Sequence, residues 1–295
     1  MNGRRSRSLR CHTQGPLDCR CFIRIKVMPN LNNRSEHKAP VVLIFDSGVG
    51  GLTVFREIAA ARPDARYVYV ADDAGFPYGN QPEDELIVRI VGVIGDAIAR
   101  HNPDLVVIAC NTASTLALAE LRARFAVPFV GTVPAIKPAC AQSKSKRIAV
   151  LGTQATVSRE YTHALIREFA GDCDVILVGS PKLASIAELE LSGMPVADAD
   201  IAAEIAPCFV DNGERRTDTV VLACTHYPLL TARFRALVPW PVEWIDPAPA
   251  IARRVADLLH EWKTAAQGAP PQIVFTSGRV PPPPLAAALR GFGFS

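Results

Sequence analysis

Two cysteines occur in matching sequence contexts in the two halves of the chain. Residues 104–112 read DLVVIACNT, and residues 218–226 read DTVVLACTH. In each copy an apolar run ends at a cysteine, Cys110 or Cys224, and small polar residues follow. A strand that ends where a helix begins exposes free N–H groups and the positive end of the helix dipole, which favour a thiolate. The pattern therefore predicts two reactive thiols, each able to act as a base or a nucleophile.

Two matched thiols suit a proton transfer that runs equally well in both directions. One thiolate would remove a proton from a carbon atom, and the other thiol would deliver a proton to the opposite face. A single-nucleophile mechanism could use Cys224 with His226, but it would leave Cys110 unexplained. The sequence also offers no separate Asp or Asn that can be named to orient His226. A disulfide between the two is disfavoured in a reducing compartment, and inert buried cysteines would not explain the repeated context.

Short apolar runs alternate with helical patterns, and the order of elements repeats in the second half. Strands are predicted at residues 41–45, 66–71, 105–109, 127–131, 148–151, 175–178, 220–223, 242–245 and 272–275. Helices are predicted at residues 52–61, 83–101, 113–125, 157–169, 183–209 with an interruption near Gly193, 229–237, 246–262 and 285–290. Apolar strands separated by helices indicate parallel sheets that are covered on both faces.

This order predicts an α/β protein with two pseudo-symmetric three-layer lobes and mostly parallel sheets. The active site is expected in the cleft between the lobes. We expect the first lobe to contain residues 40–136 plus 245–295 and the second lobe to contain residues 137–244. Residues 1–39 carry nine basic and two acidic side chains and are expected to form a basic, disordered extension.

Charge and composition argue against several classes of protein. The net charge of +3 conceals a mildly acidic body, since residues 40–295 hold 23 basic and 27 acidic side chains, which argues against nucleic-acid binding. No apolar run reaches the roughly 18–20 residues of a membrane span, and no apolar segment of a secretory signal follows the N-terminal arginines. The eight cysteines lack the spacing of a disulfide scaffold, so a cytoplasmic location is expected. Cys11, His12, Cys19 and Cys21 lack a usual zinc spacing, and no metal site is predicted.

Five ordered motifs carry a resemblance to a known family. They are residues 45–52 (FDSGVGGL), 77–79 (PYG), 109–113 (ACNTA), 152–157 (GTQATV) and 223–229 (ACTHYPL). Over residues 41–280 the chain resembles the glutamate racemases of the aspartate/glutamate racemase superfamily. The resemblance implies an enzyme without a cofactor that interconverts L- and D-glutamate and supplies D-glutamate for bacterial peptidoglycan. It also implies a possible homodimer.

The resemblance implies roles for individual residues. Cys110 would act on D-glutamate and Cys224 on L-glutamate, with Asp46 and His226 supporting the two thiols. Substrate would be held by side chains of the motif loops: Asp46, Ser47, Tyr78, Gly79, Asn111, Thr112, Thr225 and His226, with Ser114, Thr153 and Thr156 as further candidates for its carboxylates. Asp72 and Glu188 match acidic positions with lesser, auxiliary roles.

Simpler structural roles remain open for several of these side chains. Asp46 could take the thiol proton, orient the substrate ammonium or only cap a helix. His226 and Tyr78 could be packing residues, and Glu188 could be a solvated helix residue. Alternative functions are also open: racemisation of aspartate, hydrolysis by a single thiol, or a binding or regulatory role on the same fold.

Three details of the sequence bear on the expected structure of the motif loops. Residues 46–51 (DSGVGG) could form a phosphate loop, but Thr53 stands where a dinucleotide fingerprint has its third glycine, so a tight strand-to-helix turn is expected. Asp73 and Gly75 depart from the Asp-Thr-Ala-Arg pattern that is usual before Pro77. Arg279 stands where an Asp is usual, so this C-terminal loop is expected to differ.

Overall fold

A computed structural model of the chain describes residues 38–262 and 268–295, with Asn80 described by its backbone alone. The expected disordered extension and the residues Cys11, His12, Cys19 and Cys21 lie outside the described residues. All strands described pair in parallel, within two sheets. These two sheets confirm the predicted α/β class.

The first sheet has five strands in the order β4-β3-β1-β2-β9. The bounds are β1 (Val41–Asp46), β2 (Arg66–Ala71), β3 (Leu105–Ile108), β4 (Phe129–Gly131) and β9 (Gln272–Phe275). The second sheet has four strands in the order β6-β5-β7-β8. Its bounds are β5 (Arg147–Thr153), β6 (Asp174–Ser180), β7 (Thr219–Ala223) and β8 (Glu243–Ile245). The chain returns to the first sheet only at β9, which pairs with β2.

Helices cover both sheets. They are α1 (Leu52–Ala61), α2 (Glu83–His101), α3 (Asn111–Arg124), α4 (Ile136–Gln142), α5 (Gln154–Ser158), α6 (Glu160–Phe169), α7 (Leu183–Leu191), α8 (Asp198–Ile205), α9 (Thr231–Leu237), α10 (Ala248–Leu258) and α11 (Pro283–Gly291). Helix α10 packs against α1, beside the first sheet. The lobe boundaries expected from the sequence stay a prediction.

Strand β1 shows why an apolar run forms a central strand. Val42 and Ile44 pack with α1 and α10 on one face of the sheet, and Leu43 and Phe45 pack with α2 and α3 on the other. All four side chains are fully buried. Because alternate side chains of a strand point to opposite faces, a strand that is covered twice must be apolar throughout.

Two helical regions differ from the prediction, and one predicted interruption is confirmed. The predicted helix at 157–169 is divided at Arg159, whose backbone is extended (φ −73°, ψ 142°); the carbonyl of Thr156 accepts from the hydroxyl of Thr162 instead of continuing the helix. The interruption predicted near Gly193 within 183–209 is confirmed: α7 ends at Leu191, α8 starts at Asp198, and Gly193 has a positive φ of 74°. Helix α4 was not predicted, because it is short and contains Pro138.

A further difference follows the second cysteine. The sequence predicted a helix at 229–237, close behind Cys224. The chain instead forms a 3-10 turn at Tyr227–Leu230, which contains Pro228, and α9 starts only at Thr231. Proline tolerates the start of a helix but lacks the N–H that a regular turn needs.

The described residues contain no helix that combines the length and the apolar character needed to cross a membrane.

The central position of β1 leads to a stability prediction. We expect Ile44→Ala to lower the free energy of unfolding by about 2–5 kcal/mol, because it leaves a cavity between the sheet and its covering helices. Val88→Ala on α2 is the control, since Val88 is 74% exposed and surface substitutions usually change stability by about 0.5 kcal/mol or less. Urea denaturation measures both variants. Equal, small effects would contradict the central position of Ile44.

Candidate active site

Cys110 lies at the junction of β3 and α3, as the sequence predicted. Its sulfur caps the N-terminus of α3 by accepting from the backbone N–H of Ala113 at 3.5 Å, and its thiol donates to Oγ of Ser47 at 3.6 Å. The residue is only 5% exposed. Because Ser47 follows β1 and Ala113 lies in the first turn of α3, two adjacent strand ends position this sulfur.

Cys110 is a thiol, whereas its position at a helix N-terminus suggested a thiolate. Burial raises the pKa of the Cys110 thiol to about 12, and the negative charge of Asp46 adds to the rise. The hydrogen bonds with Ala113 and Ser47 act in the opposite direction without compensating. Desolvation and a nearby carboxylate therefore outweigh the helix N-terminus at this sulfur.

Cys224 has different neighbours. It follows β7, and its sulfur lies 3.8 Å from Nδ1 of His226. Nε2 of His226 lies 3.0 Å from Oε1 of Glu188, and the same oxygen accepts from the backbone N–H of Val49 at 2.8 Å. Thiol, imidazole and carboxylate thus form a connected series. Glu188 is the orienting carboxylate for His226 that the sequence could not name.

The imidazole and the carboxylate of this series stabilise each other's charge. Burial alone would lower the pKa of His226, but hydrogen bonds with Cys224 and Glu188 outweigh burial and raise that pKa well above its usual value. Burial likewise opposes ionisation of Glu188, yet the hydrogen bonds from His226 and Val49 lower the pKa of Glu188. The pair is therefore an imidazolium and a carboxylate at neutral pH.

Two glycines of the loop after β1 allow this pair to pack closely. A Cβ atom on Gly50 would lie 2.4 Å from Nδ1 of His226, and one on Gly48 would lie 2.2 Å from Oε1 of Glu188. Both distances are far below van der Waals contact. These glycines form the expected strand-to-helix turn, and they also make room for His226 and Glu188.

Asp46, the last residue of β1, joins the loop after β1 to the loop of Cys224. It is fully buried. Its Oδ1 accepts from the hydroxyl of Thr225 at 2.9 Å, next to Cys224, and its Oδ2 accepts from the N–H of Gly48 at 3.1 Å. Burial raises the pKa of Asp46, and the positive charge of His226 opposes that rise. The side chain makes these bonds within the loops and does not cap α1.

Both cysteines line one small cavity, of about 20 Å³, together with residues from both sheets. Its other walls are Ser47, Phe76, Pro77, Tyr78, Gly79, Asn111, Thr112, Thr153, Ala184, Thr225 and His226. The carboxamide of Asn111 is buried, and neither its Nδ2 nor its Oδ1 has a hydrogen-bond partner among the described residues. This amide can therefore donate to and accept from a ligand. In the same described ranges, no group of three or more His, Cys, Asp or Glu side chains could hold a metal ion.

Three threonine hydroxyls form a triangle beside this cavity. Oγ1 of Thr112 lies 3.1 Å from that of Thr153 and 3.2 Å from that of Thr156, and the last two are 2.9 Å apart. Thr156 and Ser114 do not line the cavity. Ser114 instead donates to the carbonyl of Ile108 and accepts from a backbone N–H at the end of β4. The hydroxyl of Thr156 thus contacts two residues that line the cavity, whereas the described partners of Ser114 are backbone groups.

Asp72 also lies outside the cavity lining and supports the loop that carries Tyr78. Its two carboxylate oxygens each accept from Arg89 at 2.6 Å, and they accept further hydrogen bonds from the hydroxyls of Tyr78 and Thr276. Asp72 is fully buried. A carboxyl group at such a depth requires hydrogen-bond partners of this kind. Its described role is therefore to hold Tyr78 against the site.

Two residues that depart from the family pattern, Asp73 and Arg279, contact each other in the structure. Nε of Arg279 lies 2.8 Å from Oδ2 of Asp73, so the two unusual residues form an ion pair. A Cβ atom on Gly75 would lie 2.2 Å from Nε of Arg89, so a larger residue would displace that side chain. The loop changes are mutually compatible.

Sequence reasoning missed several residues of the site. Phe76, Pro77 and Ala184 line the cavity, and the ring of Phe76 lies 5.3 Å from that of His226. Adjacency to Tyr78 was a signal for the first two. Ala184 carries no signal in the sequence, because its place depends only on how α7 packs.

Comparisons with known proteins agree with this geometry. Residues 46–255 match the model of the family described as Asp/Glu/Hydantoin racemase. A glutamate racemase of Brucella ovis is 51% identical over 254 residues, which are 85% of this chain and 92% of the relative.

Solved structures of glutamate racemases also match this chain. Escherichia coli glutamate racemase, solved in complex with L-glutamate and the activator UDP-MurNAc-Ala, matches with a TM-score of 0.80 at 38% identity, over 87% of this chain and 96% of that chain. A glutamate racemase of Bacillus anthracis matches with a TM-score of 0.71 at 27% identity, over 88% and 97% of the two chains.

The connected series of Cys224, His226 and Glu188 leads to a prediction on protonation. We expect Glu188→Gln to lower the pKa of His226, because the anionic partner that stabilises the imidazolium is lost while the shape is kept. An NMR titration of the His226 ring measures this pKa. Glu190→Gln on the same helix is the control, since Glu190 pairs with Arg233 instead. An unchanged titration in Glu188→Gln would show that Glu188 does not set the charge of His226.

Proposed function

The chain belongs to the Asp/Glu/Hydantoin racemase family, and we propose that it interconverts L- and D-glutamate with Cys110 and Cys224 as the two bases. The observation that carries the proposal is that both sulfurs line one cavity, from the ends of strands in different sheets. A racemase must remove a proton from one face of Cα and deliver one to the other. Two thiols that line one cavity from different sheets are suited to that requirement.

The two thiols alone account for every proton that is transferred. From L-glutamate, the Cys224 thiolate takes the Cα proton and becomes a thiol, while the electron pair of the C–H bond stays on the substrate as a carbanion. The Cys110 thiol then gives its proton to the opposite face and becomes a thiolate. The reverse reaction begins at Cys110 and ends at Cys224. The assignment of Cys110 to D-glutamate and Cys224 to L-glutamate rests on the family resemblance.

The surroundings of the two sulfurs support this order. The raised pKa of Cys110 keeps that sulfur protonated, as a proton donor must be. Cys224 lies beside an imidazolium that is held by Glu188, which suits the base. We propose that His226 and Glu188 support Cys224 in this way. Asp46 would act next to Cys110, as a proton acceptor or by orienting the substrate ammonium.

The cavity walls suit an amino acid with two carboxylates. Hydroxyls of Ser47, Thr112, Thr153 and Thr225 and the free amide of Asn111 are neutral donors, and helix α3 presents its N-terminus at the same place. Such groups stabilise anions through hydrogen bonds and carry no net charge themselves. They would also stabilise the carbanion, because a Cα–H beside a carboxylate is a weak acid that needs donors already in place. The cavity holds about one water molecule at 20 Å³, so its walls must separate to admit glutamate.

Hydrolysis by a single thiol is the second candidate function. The series of Cys224, His226 and Glu188 favours it, because a nucleophile, a base and an orienting carboxylate are the parts of such a mechanism. That mechanism needs no second thiol, however, and would leave Cys110 without a role. The two functions therefore differ in whether Cys110 is required.

Isotope exchange tests the two-base proposal. L-Glutamate incubated with the enzyme in D₂O, without added cofactor, is expected to give D-glutamate with deuterium at Cα, measured by NMR and chiral chromatography. We expect Cys110→Ala and Cys224→Ala each to lower racemisation by roughly 10²–10⁴-fold or more, because each removes one acid–base group. Cys208→Ala is the matched control, since Cys208 is a buried thiol in the same lobe as Cys224 and away from the cavity.

The outcomes separate the candidate functions. Near-wild-type racemisation by either Cys110→Ala or Cys224→Ala would exclude the two-base mechanism. Loss of racemisation in Cys208→Ala as well would mean that thiol substitutions act through folding. Aspartate incubated in parallel is expected to exchange more slowly than glutamate, and faster exchange would assign the enzyme to aspartate instead.

A cellular test addresses the product's use. We propose that the D-glutamate formed supplies peptidoglycan, as the resemblance implies. A bacterial strain that needs added D-glutamate because its glutamate racemase is deleted is expected to grow without it when it expresses this chain. The Cys110→Ala variant is expected to fail at equal expression, and growth supported by that variant would argue against the proposed role of the racemase activity.

A further inference from the structure

Arg159 is a buried arginine that crosses from the second lobe to the first. It occupies the break between α5 and α6, beside the end of β5, and is only 8% exposed. Its Nη1 donates to the backbone carbonyl of Thr112 at 2.7 Å and to Oγ1 of Thr115 at 2.9 Å. Its Nε donates to Oε1 of Glu83 at 2.9 Å. All three acceptors belong to helices that cover the first sheet.

Two of these acceptors lie in the turn that carries the first cysteine. Thr112 and Thr115 belong to the first turns of α3, and Cys110 caps that helix. The sulfur of Cys110 is itself bound to the N–H of Ala113, in the same turn. A shift of this turn therefore moves the sulfur. Arg159 holds the turn from the opposite lobe.

Stabilisation of the fold is a poor explanation for this arrangement. Nη2 of Arg159 is buried and has no hydrogen-bond partner among the described residues, and the side chain of its ionic partner Glu83 is 59% exposed. Burying a guanidinium with incomplete partners costs free energy that an apolar side chain would not cost. The bonds to α3 instead give a fixed geometry across the two lobes.

The contacts of the second cysteine do not involve Arg159: the backbone carbonyl of Thr225, next to Cys224, accepts from the hydroxyl of Thr53 at 3.3 Å. The loop of this cysteine is also held by the bond from Thr225 to Asp46 and by the series through His226 and Glu188. Removal of the Arg159 contacts should therefore disturb the geometry of Cys110 and leave that of Cys224 intact.

We propose that Arg159 is a positioning residue that holds Cys110 in its reactive geometry when the two lobes are closed. The inference rests on the proposed two-cysteine racemisation. Because the walls must separate to admit substrate, the bonds of Arg159 to α3 would re-form at each closure and place the sulfur against Cα. A displacement of about 1 Å can cost roughly 100-fold in rate, so the rate is sensitive to this contact.

The loss of rate alone does not identify the affected cysteine. The enantiomers of glutamate have equal free energies, so kcat/KM must fall by the same factor in both directions for any variant. The primary isotope effect differs, because deuterium at Cα of D-glutamate is transferred to Cys110 and deuterium at Cα of L-glutamate is transferred to Cys224. If proton transfer at Cys110 becomes slower, only the transfer of deuterium from D-glutamate to Cys110 limits the rate.

The test uses Arg159→Lys, which keeps the positive charge but loses the planar fork of donors. We expect kcat/KM to fall roughly 10–100-fold. The isotope effect on kcat/KM should rise with Cα-deuterated D-glutamate and fall with Cα-deuterated L-glutamate, relative to wild type. Isotope effects are independent of the fraction of folded enzyme, so a merely structural role would leave both unchanged.

Two further variants keep the test decisive. Arg147→Lys is the matched control, because Arg147 is another buried arginine of the second lobe that pairs with Asp174 at the opposite end of β5, about 20 Å from the site; its isotope effects should equal those of wild type. Thr115→Val removes one acceptor of Arg159 and should shift the isotope effects in the same sense by a smaller amount. It replaces Arg159→Lys if that variant does not fold.

The results also distinguish this inference from the function on which it rests. Wild-type enzyme that does not racemise glutamate would overturn the proposed function. Wild-type enzyme that racemises, together with unchanged isotope effects in Arg159→Lys and Thr115→Val, would overturn only the role of Arg159. Equal shifts in Arg147→Lys would overturn it as well.

Discussion

Hydrogen bonds that cross from one parallel sheet to the other are the interactions on which the candidate site depends. Thr225 donates a hydrogen bond to Asp46. The hydroxyls of Thr112 and Thr156 are hydrogen-bonded to each other, and Glu188 accepts from the backbone N–H of Val49. Each bond joins a loop at the end of one sheet to a partner from the other. Parallel strands carry their functional loops at their carboxyl ends, so two sheets that meet at those ends enclose a cavity. These bonds fix how the two cysteines stand relative to that cavity.

The two halves of the site are alike in position and unlike in chemistry. Cys110 has the N-terminus of a helix and a nearby buried carboxylate, and burial raises its pKa. Cys224 has an imidazolium that is held by a carboxylate. A proton transfer between two thiols needs one donor and one acceptor at a time, and the surroundings of the two sulfurs are correspondingly unequal. In the proposed mechanism, the asymmetry sets which thiol starts with the proton.

Much of the fold could be predicted because it follows local patterns. The strands of the first sheet were predicted well, since an apolar run such as that of β1 has no other stable place than between two layers of helices. The helix divided at Arg159 was predicted as one, because the bond from Thr162 to the carbonyl of Thr156 is a side-chain effect that periodicity does not reveal. The 3-10 turn after Cys224 was missed in the same way, although Pro228 was a local signal.

The sequence by itself determined the α/β class, the two cysteines at strand ends and the polar residues that follow them, because each depends on neighbours within a few positions. Only the tertiary structure decided that Glu188 orients His226, that Asp73 pairs with Arg279 and that Asp72 supports Tyr78. It also decided that Cys110 is a thiol, since its pKa depends on burial and on Asp46. These contacts join residues far apart in the chain, and electrostatic interactions depend on distance and solvent exclusion in the folded molecule rather than on order in the sequence.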